Sequence, residues 1–252
     1  MTIPLQIDPV YGPVQSRRLG RSLGLNILST EQKTCSLNCL YCQYGLDQLS
    51  ETELANPYWY TPTNLIADAL ERRLFTIKEP PEYITFSGNG ESTLHPQFKE
   101  IVQSVREIRD KYSPSSQLAL LSNSSTVHRS SVRETLALFD HRIMKFDCGD
   151  EATFIIYNQP EQTTNYYQIF EGLKEIPDIT IQALFAKGKS GNYREDLIDG
   201  WIEKIIQISP RDVQIYTLDR SYASKDITPV SREDLNIIYT RAVKAGIKIT
   251  VY

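Results

Sequence analysis

The amino-acid sequence predicts an α/β fold, an open and partial β/α barrel of the TIM type built from six units. Strand-like and helix-like segments alternate along most of the chain, and this order is typical of a parallel sheet covered by helices. Several strand candidates are nearly continuous apolar runs, as buried parallel strands are. Six units are too few to close the usual eight-stranded barrel, so we expect the sheet to stay open.

Six segments have the composition of strands. They are rich in β-branched and aromatic residues, and polar or glycine-containing turns follow them. The strand candidates are residues 22–28, 83–88, 117–123, 142–148, 179–185 and 212–218, and a short terminal strand is expected over 247–252. We expect one domain over residues 1–252, with an N-terminal extension (1–21), a partial barrel core (22–220) and a C-terminal helix and strand (221–252).

Helices are expected between the strands, where apolar residues recur at helical spacing. The expected apolar stripes are Ile66, Leu70, Leu74 and Ile77; Phe98, Ile101, Val102, Val105 and Ile108; Ile198, Ile202, Ile205 and Ile206; and Leu235, Ile238, Tyr239 and Ala242. Thr61 before Pro62 and His95 before Pro96 each predict a helix N-cap, and Ser231 predicts the start of the last helix.

Composition and charge limit the classes of protein. Of the 252 residues 40% are hydrophobic and 23% are charged, which is typical of a globular protein with a sizeable core. The formal net charge of −4 lacks the basic excess of a general nucleic-acid binder. No basic segment with an apolar run opens the chain and no run of 18 apolar residues occurs, so we expect a cytoplasmic protein without a membrane partner.

The loop TCSLNCLYCQYG, residues 34–45, holds three of the four cysteines in the chain. Cys35, Cys39 and Cys42 would share one face of a helix, where core packing is the simplest interpretation. The polar residues between them are poor helix-interior residues, which favours a metal site. A structural zinc site needs four ligands, and the fourth cysteine, Cys148, lies far along the chain. A 4Fe-4S cluster held by three thiolates would leave one iron open.

Cys35, Cys39 and Cys42, with Tyr41 before the third cysteine, match the CxxxCxxC motif of the radical S-adenosylmethionine (SAM) superfamily, which the chain resembles. The resemblance implies a six-unit partial barrel with this loop after its first strand. It also implies a 4Fe-4S cluster, SAM bound at the open iron, and an oxidoreductase-like enzyme. In such enzymes SAM is cleaved to a 5′-deoxyadenosyl radical that abstracts hydrogen from a substrate.

The same resemblance implies cofactor contacts at the other strand ends. Residues 88–91 look like the superfamily's Gly-Gly-Glu element, which binds the methionyl ammonium, although Asn89 departs from the commoner glycine. Asp147 is expected at the ribose hydroxyls and Tyr41 near the adenine. The expected cofactor-binding residues are Tyr41, Gly88, Asn89, Gly90, Glu91, Ser122, Asn123 and Asp147.

A basic segment precedes the first predicted strand. One interpretation is a solvated face with structural ion pairs, and the other is contact with an anionic substrate group. The candidates for substrate contact are Arg17, Arg18, Arg21, Lys145 and Arg220. For Lys145 a structural ion pair with Asp147 inside the barrel is equally compatible with the sequence. Gln182, Tyr216 and Asp219 are candidates for lining the same cavity, but alternation alone leaves open which side they face.

The run of residues 10–45 resembles wyosine-synthase-like members of the superfamily. Residues 1–34 contain no cysteine, so only one cluster is expected. A tRNA-modifying radical SAM enzyme and a non-catalytic Fe-S or metal-binding sensor, with Cys148 as a fourth ligand, are the alternatives. The resemblance implies a small flavodoxin- or ferredoxin-type protein as reductant, and it leaves the substrate unidentified.

Overall fold

The computed structural model of the protein describes residues 2–46 and 49–252. Its strands are β1 (Val10–Ser16), β2 (Gly20–Leu25), β3 (Tyr83–Phe86), β4 (Gln117–Ser122), β5 (His141–Lys145), β6 (Thr180–Lys187), β7 (Asp212–Thr217), β8 (Thr228–Pro229) and β9 (Ile249–Val251). Each of the six predicted strand segments overlaps one of these strands. The structure adds β1, which the sequence analysis left in an N-terminal extension.

The sheet is open. Strands β2 to β7 are consecutive neighbours and run parallel to one another. Strand β1 pairs with β2 in antiparallel orientation, and β9 pairs with β7 in parallel orientation. Among residues 2–46 and 49–252 the sheet therefore begins at β1 and ends at β9 without closing, and β8 pairs only with β6. The predicted α/β partial barrel is confirmed.

Helices follow the strands and cover the outer side of the sheet. They are α1 (Glu51–Leu54), α2 (Thr63–Thr76), α3 (Phe98–Tyr112), α4 (Ser130–Leu136), α5 (Glu151–Asn158), α6 (Tyr166–Lys174), α7 (Glu195–Ile208) and α8 (Arg232–Lys244). In the part of the chain that the structure describes, no helix has the length and apolar character needed to cross a membrane.

The apolar stripes decide which side of each helix is buried. Ile66, Leu70 and Leu74 of α2 are at most 4% exposed, as their spacing predicts. Ile206 and Tyr239 were expected in the buried stripes of α7 and α8, but they are 50% and 41% exposed. Each follows the buried stripe residue by one position, and one residue turns the side chain about 100° around the helix.

Two of the three helices begin later in the sequence than predicted. Helix α2 begins after Pro62 rather than with Thr61 as N-cap, and α3 begins at Phe98 rather than at Pro96. The His95 ring still serves this start, because its Nδ1 accepts a hydrogen bond from the Gln97 N–H over 3.0 Å. Ser231 caps α8 as predicted and forms a reciprocal capping box with Asp234.

The two faces of the sheet differ in character. Phe185 of β6 packs against Trp201 of α7 on the helix side, with ring centroids 5.1 Å apart. Gln182 of the same strand points to the opposite, interior side, where the Tyr216 hydroxyl donates to its Oε1 over 3.1 Å. Leu19, in the turn between β1 and β2, packs with Ala119 and Ile143 in a small separate cluster. The barrel interior is thus polar next to a small apolar cluster at Leu19.

Candidate functional site

The cysteine loop, residues 34–45, follows β2 and lies against the turn after β3. The Thr34 N–H donates to the Asn89 carbonyl, and the Glu91 N–H donates to the Thr34 carbonyl, each over 2.9 Å. Gly90 lies between them with φ +151°, and a Cβ at this position would lie 1.8 Å from the Thr34 carbonyl oxygen. The close backbone approach expected of this glycine is therefore made to the cysteine loop.

Lys33 fixes the shape of the cysteine loop. Its Nζ donates to the Gly45 carbonyl and to Oδ1 of Asn38, each over 2.7 Å, and the residue is only 4% exposed. The Lys33 ammonium, just before the loop, therefore contacts both its middle and its last residue. No sequence signal marks this role, because a lysine beside a polar loop is ordinarily a solvent-exposed residue.

Two carboxamides contact the cysteine sulfurs. Asn123 donates to Sγ of Cys35 over 3.3 Å, and Asn158 donates to Sγ of Cys39 over 3.2 Å. Burial, followed by the nearby Cys39 thiol, raises the pKa of Cys35 to about 12. Burial, followed by the negative charge of Asp147, raises the pKa of Cys39 to about 11. Both thiols are thus neutral at pH 7 without a metal, and each would have to lose its proton to bind one.

Cys148 lies near the cysteine loop and contacts Asn158. Its Sγ is 3.5 Å from Oδ1 of Asn158, whose amide nitrogen contacts Cys39. Asn158 thus lies between the two thiols. Over residues 2–46 and 49–252, no three His, Cys, Asp or Glu side chains are arranged to hold a single metal ion. A cubane distributes its thiolates over different irons, so this result concerns mononuclear sites such as zinc.

Glu91 is fully buried at the end of the turn after β3. Its Oε1 accepts hydrogen bonds from the backbone and hydroxyl of Thr93 and from the Ser122 hydroxyl, the last over 3.0 Å. Its Oε2 accepts from the Asn123 N–H over 2.5 Å. Burial raises the pKa of this carboxyl although these hydrogen bonds oppose the shift. The structure thereby brings Glu91, Ser122 and Asn123 together beside Cys35.

Asn89 explains why the expected second glycine is absent. Its side-chain oxygen accepts from the Gln6 N–H over 2.8 Å, and its amide donates to the carbonyls of Gln6 and Ser29 over 2.9 and 2.8 Å. The N-terminal segment, residues 2–8, is also joined to the cysteine loop by a 2.9 Å hydrogen bond from the Ile3 N–H to the Gln43 carbonyl. The Asn89 side chain therefore holds this segment, while its backbone N–H donates to Oδ1 of Asn26 over 3.2 Å and its carbonyl accepts from Thr34.

Asp147 is the centre of a buried polar cluster. Its Oδ1 accepts from the Leu184 N–H and contacts Nζ of Lys145, each over 2.8 Å. Its Oδ2 accepts from the Tyr41 hydroxyl over 2.5 Å and from Asn158 over 3.0 Å. The ion pair that the sequence left open for Lys145 is present, and it joins the fourth predicted strand end to the cysteine loop through Tyr41.

The four candidate arginines lie in different surroundings. Arg17 pairs with Asp219 over 2.5 Å at an exposed position. Arg21 lies at the amino end of β2, where its guanidinium contacts Glu79 over 2.7 Å, on the side opposite the cysteine loop. Arg18 instead lies over the interior ring of Tyr216, with 4.3 Å between its central carbon and the ring centre. Arg220 is exposed beyond β7.

Comparison with known proteins gives relatives over most of the chain, although no family model matches. The GTPase Obg of Brachyspira hyodysenteriae is 30% identical over 234 residues, 92% of this chain and 33% of that protein. A UPF0026 protein of Methanocaldococcus jannaschii is 30% identical over 222 residues, 87% of this chain and 66% of that protein. The chain thus spans one third of the first relative and just under two thirds of the second.

Solved structures share the fold. A radical SAM methyltransferase from Sphaerobacter thermophilus superposes with a TM-score of 0.66 at 13% identity, over 92% of this chain and 65% of that one. TYW1 with a lysine-pyruvate adduct bound superposes with a TM-score of 0.61 at 12% identity, over 89% and 73%. In this chain the CxxxCxxC loop follows β2, the first of the parallel strands.

The chain shares the fold of solved radical SAM enzymes. The wyosine-synthase-like subgroup that residues 10–45 resemble stays a prediction, because TYW1 at 12% identity shares the fold alone. Compared with the superfamily motif as read from the sequence, the structure adds three residues that no motif marks. These are Lys33, Asn158 and Gln6, and each acts through a tertiary contact with the cysteine loop or the turn after β3.

Proposed function

We propose that the protein is a radical SAM enzyme with a single 4Fe-4S cluster bound by Cys35, Cys39 and Cys42. The observation that carries this proposal is the loop of three thiols held against the buried turn at residues 88–91. When bound, the cluster supplies the electron that cleaves SAM, and the resulting 5′-deoxyadenosyl radical takes a hydrogen atom from the substrate. The donor set fits this group, because three thiolates leave one iron for the cofactor.

The residues around the cysteine loop are suited to bind and orient SAM. Glu91 would accept from the methionyl ammonium by exchanging one of its hydrogen bonds, for example that from Ser122. Gly88, with φ +130°, and Gly90 leave room for the Asn26 side chain and the Thr34 carbonyl, which pack against the turn that carries this carboxylate. Asn123 completes the proposed methionyl side of the site, whereas both backbone groups of Asn89 are already hydrogen-bonded, its N–H to Asn26 and its carbonyl to Thr34.

Tyr41 and Asp147 form the proposed nucleoside side of the site. Tyr41 is half-buried next to Tyr157, with ring centroids 5.3 Å apart, and offers an aromatic surface for the adenine. Asp147 can bind a ribose hydroxyl if Tyr41 releases its Oδ2, because this exchange preserves the number of hydrogen bonds on the carboxylate. Both residues therefore need only a local rearrangement to contact the nucleoside.

Lys145 is proposed as a fixed positive charge rather than a nucleophile. TYW1 was solved with a lysine-pyruvate adduct, which raises the question of whether an interior lysine forms a covalent bond here. Burial opposes the charge of Lys145, but Asp147 and Tyr216 outweigh it and raise the pKa of the ammonium. An amine that keeps its proton has no lone pair for attack on a carbonyl. Lys145 is thus suited to contact a carboxylate of SAM or substrate.

The electron must come from a partner, for which we propose a small flavodoxin- or ferredoxin-type protein. The formal net charge of −4 does not favour tRNA as the substrate. A salt titration of tRNA binding tests this alternative, because phosphate contacts produce a strong salt dependence. Binding of tRNA that weakens steeply with salt would reinstate tRNA modification.

The test of the proposed function is reductive cleavage of SAM. Anaerobically reconstituted protein is incubated with SAM and dithionite, and 5′-deoxyadenosine is quantified by chromatography. We expect formation by the wild type, loss in Cys39→Ala, and retention in the matched variant Cys148→Ala. Absence of 5′-deoxyadenosine at full iron content would contradict the proposal. Loss of the cluster in Cys148→Ala would favour the metal-binding sensor instead.

A further inference from the structure

We propose that Arg18 binds an oxyanion group, a carboxylate or a phosphate, of the substrate inside the open barrel. That the bound molecule is the substrate rests on the proposed function, whereas the anion site itself follows from the contacts of Arg18. It narrows the unidentified substrate to a molecule with at least one such anionic group.

The turn between β1 and β2 carries Arg18 into the barrel and holds it there. Ser16 Oγ accepts hydrogen bonds from the N–H groups of Arg18 and Leu19, over 3.3 and 3.1 Å. Leu19 is 7% exposed and packs with Ala119 and Ile143. Because its neighbour is anchored in this way, Arg18 presents its guanidinium from a fixed turn.

The faces of the Arg18 guanidinium are covered and its donors are free. Its central carbon lies 4.3 Å from the ring centre of Tyr216 and 5.5 Å from that of Tyr252. Cation–π contacts use the face of a guanidinium, whereas its N–H groups point outward in the plane. Over residues 2–46 and 49–252, these N–H groups form no hydrogen bond and no ion pair, so a planar oxyanion can be bound by two parallel hydrogen bonds.

Over residues 2–46 and 49–252, no aspartate or glutamate forms an ion pair with Arg18. Asp219 pairs with Arg17, and Asp147 in the barrel interior pairs with Lys145. Arg17 and Arg220 are close enough to disfavour the charge on Arg18. Burial is the main cause that lowers the pKa of the Arg18 guanidinium, and the two arginines add to it. A half-buried cation in positive surroundings gains from binding an anion.

The position of Arg18 suits a substrate that must reach the cofactor. Nζ of Lys145 lies 4.9 Å from the ring centres of both Tyr216 and Tyr41. Tyr216 therefore has Arg18 as one cationic neighbour and Lys145, next to the cysteine loop, as another. An anion bound by Arg18 would leave the rest of the substrate to extend along Tyr216 toward Tyr41.

The experiment measures anion binding independently of SAM cleavage. Saturation-transfer NMR on the reconstituted protein, without reductant, uses three methyl-bearing probes, namely acetate, methyl phosphate and neutral acetamide. The variants are Arg18→Ala, Arg18→Lys and the matched control Arg194→Ala, whose guanidinium pairs at the surface with Asp196. Thermal melts verify that each variant is folded, and the conservative Arg18→Lys keeps the test valid if Arg18→Ala does not fold.

We expect saturable binding of acetate or methyl phosphate and none of acetamide. The dissociation constant should rise about tenfold or more in Arg18→Ala, rise less in Arg18→Lys and stay unchanged in Arg194→Ala. Binding of acetate alone identifies a carboxylate, and binding of methyl phosphate alone identifies a phosphate.

Equal binding by wild type and Arg18→Ala, binding of neither anion, or binding of acetamide as strong as that of acetate would overturn the inference. So would loss of anion binding when SAM is added, because the site would then belong to the cofactor carboxylate. Absence of 5′-deoxyadenosine in the cleavage assay would contradict the proposed function and leave the anion site standing.

Discussion

Gly90 and Thr34 are in direct backbone contact, and the space between them has no room for a side chain. A Cβ on Gly90 would lie 1.8 Å from the carbonyl oxygen of Thr34 and 2.4 Å from its carbonyl carbon. Thr34 immediately precedes the first cysteine, and Gly90 precedes Glu91. One contact therefore sets the position of the cysteine loop relative to the buried carboxylate.

The variant Gly90→Ala should destabilise this contact severely. The left-handed φ and the backbone clash together are expected to cost roughly 3 kcal/mol or more of unfolding free energy. The measurements are urea denaturation and iron content after reconstitution. The matched control is Gly200→Ala in α7, where a Cβ would meet nothing within 4 Å, so stability should be unchanged or higher. Equal stability and equal iron content of the two variants would refute the role of Gly90.

Replacing Asn158 should lower the reduction potential of the cluster. Its amide donates to Cys39 over 3.2 Å, and hydrogen bonds to ligating sulfur stabilise the more negative, reduced cluster. An EPR-monitored redox titration of Asn158→Ala should give a more negative midpoint than the wild type. In Cys148→Ala the midpoint should stay near that of the wild type. An unchanged midpoint in Asn158→Ala at full iron content would rule out this tuning.

Asn89→Ala should release the N-terminal segment, residues 2–8, from the turn after β3. The variant removes the partner of the Gln6 N–H and two side-chain donors, each contact being worth about 1 kcal/mol. Hydrogen exchange followed by mass spectrometry should detect faster exchange at Gln6, with unchanged protection in β7 as internal control. Equal exchange at Gln6 in both proteins would show that other contacts hold the segment.

Asp234 should contribute stability that is lost in acid. Burial disfavours its charge, but Lys187 at 2.6 Å and hydrogen bonds that include the Ser231 N–H hold the pKa of Asp234 at about 2. An unfolded aspartate has a pKa near 3.9, so the contribution is complete above that pH and disappears as the pH falls toward 2.

Asp234→Asn should therefore cost about 1 kcal/mol of unfolding free energy at pH 7, an amount reduced by solvent screening, and less at pH 3. Urea denaturation at pH 7, 5 and 3 measures the difference. The control Asp196→Asn, which removes an exposed pair with Arg194, should leave the midpoint unchanged. A difference for Asp234→Asn that grows toward pH 3 would have the wrong sign for this account.

The barrel strands and the cysteine loop were predictable because both are signalled locally. A buried parallel strand is a short apolar run, and the spacing of Cys35, Cys39 and Cys42 is read within eight residues. Strand β1 escaped prediction because its sequence, VYGPVQS, combines glycine and proline with half-buried residues. Strand β1 pairs with β2 through the hairpin turn that carries Leu19 into its apolar cluster. No periodic pattern in the sequence predicts such a turn.

The polar contacts within the site could not be predicted, since they join distant parts of the chain. Asn158 contacts Cys39 from a position 119 residues further along, at the end of helix α5. Alternation could not decide which side of the sheet Tyr216 faces, whereas in the structure its contact with Gln182 does. From the sequence, Asn89 is only a departure from a glycine motif. Its role depends on Gln6, which lies 83 residues earlier in the chain.

The most direct test of the central claim asks whether one iron of the cluster is open to SAM. Electron–nuclear double resonance on the reduced, reconstituted protein with SAM labelled by ¹⁷O in the carboxylate and ¹⁵N in the amino group measures this. The account predicts couplings from both labels to the cluster in the wild type and in Cys148→Ala. A fully assembled cluster without either coupling, and with a spectrum that SAM does not change, would contradict it.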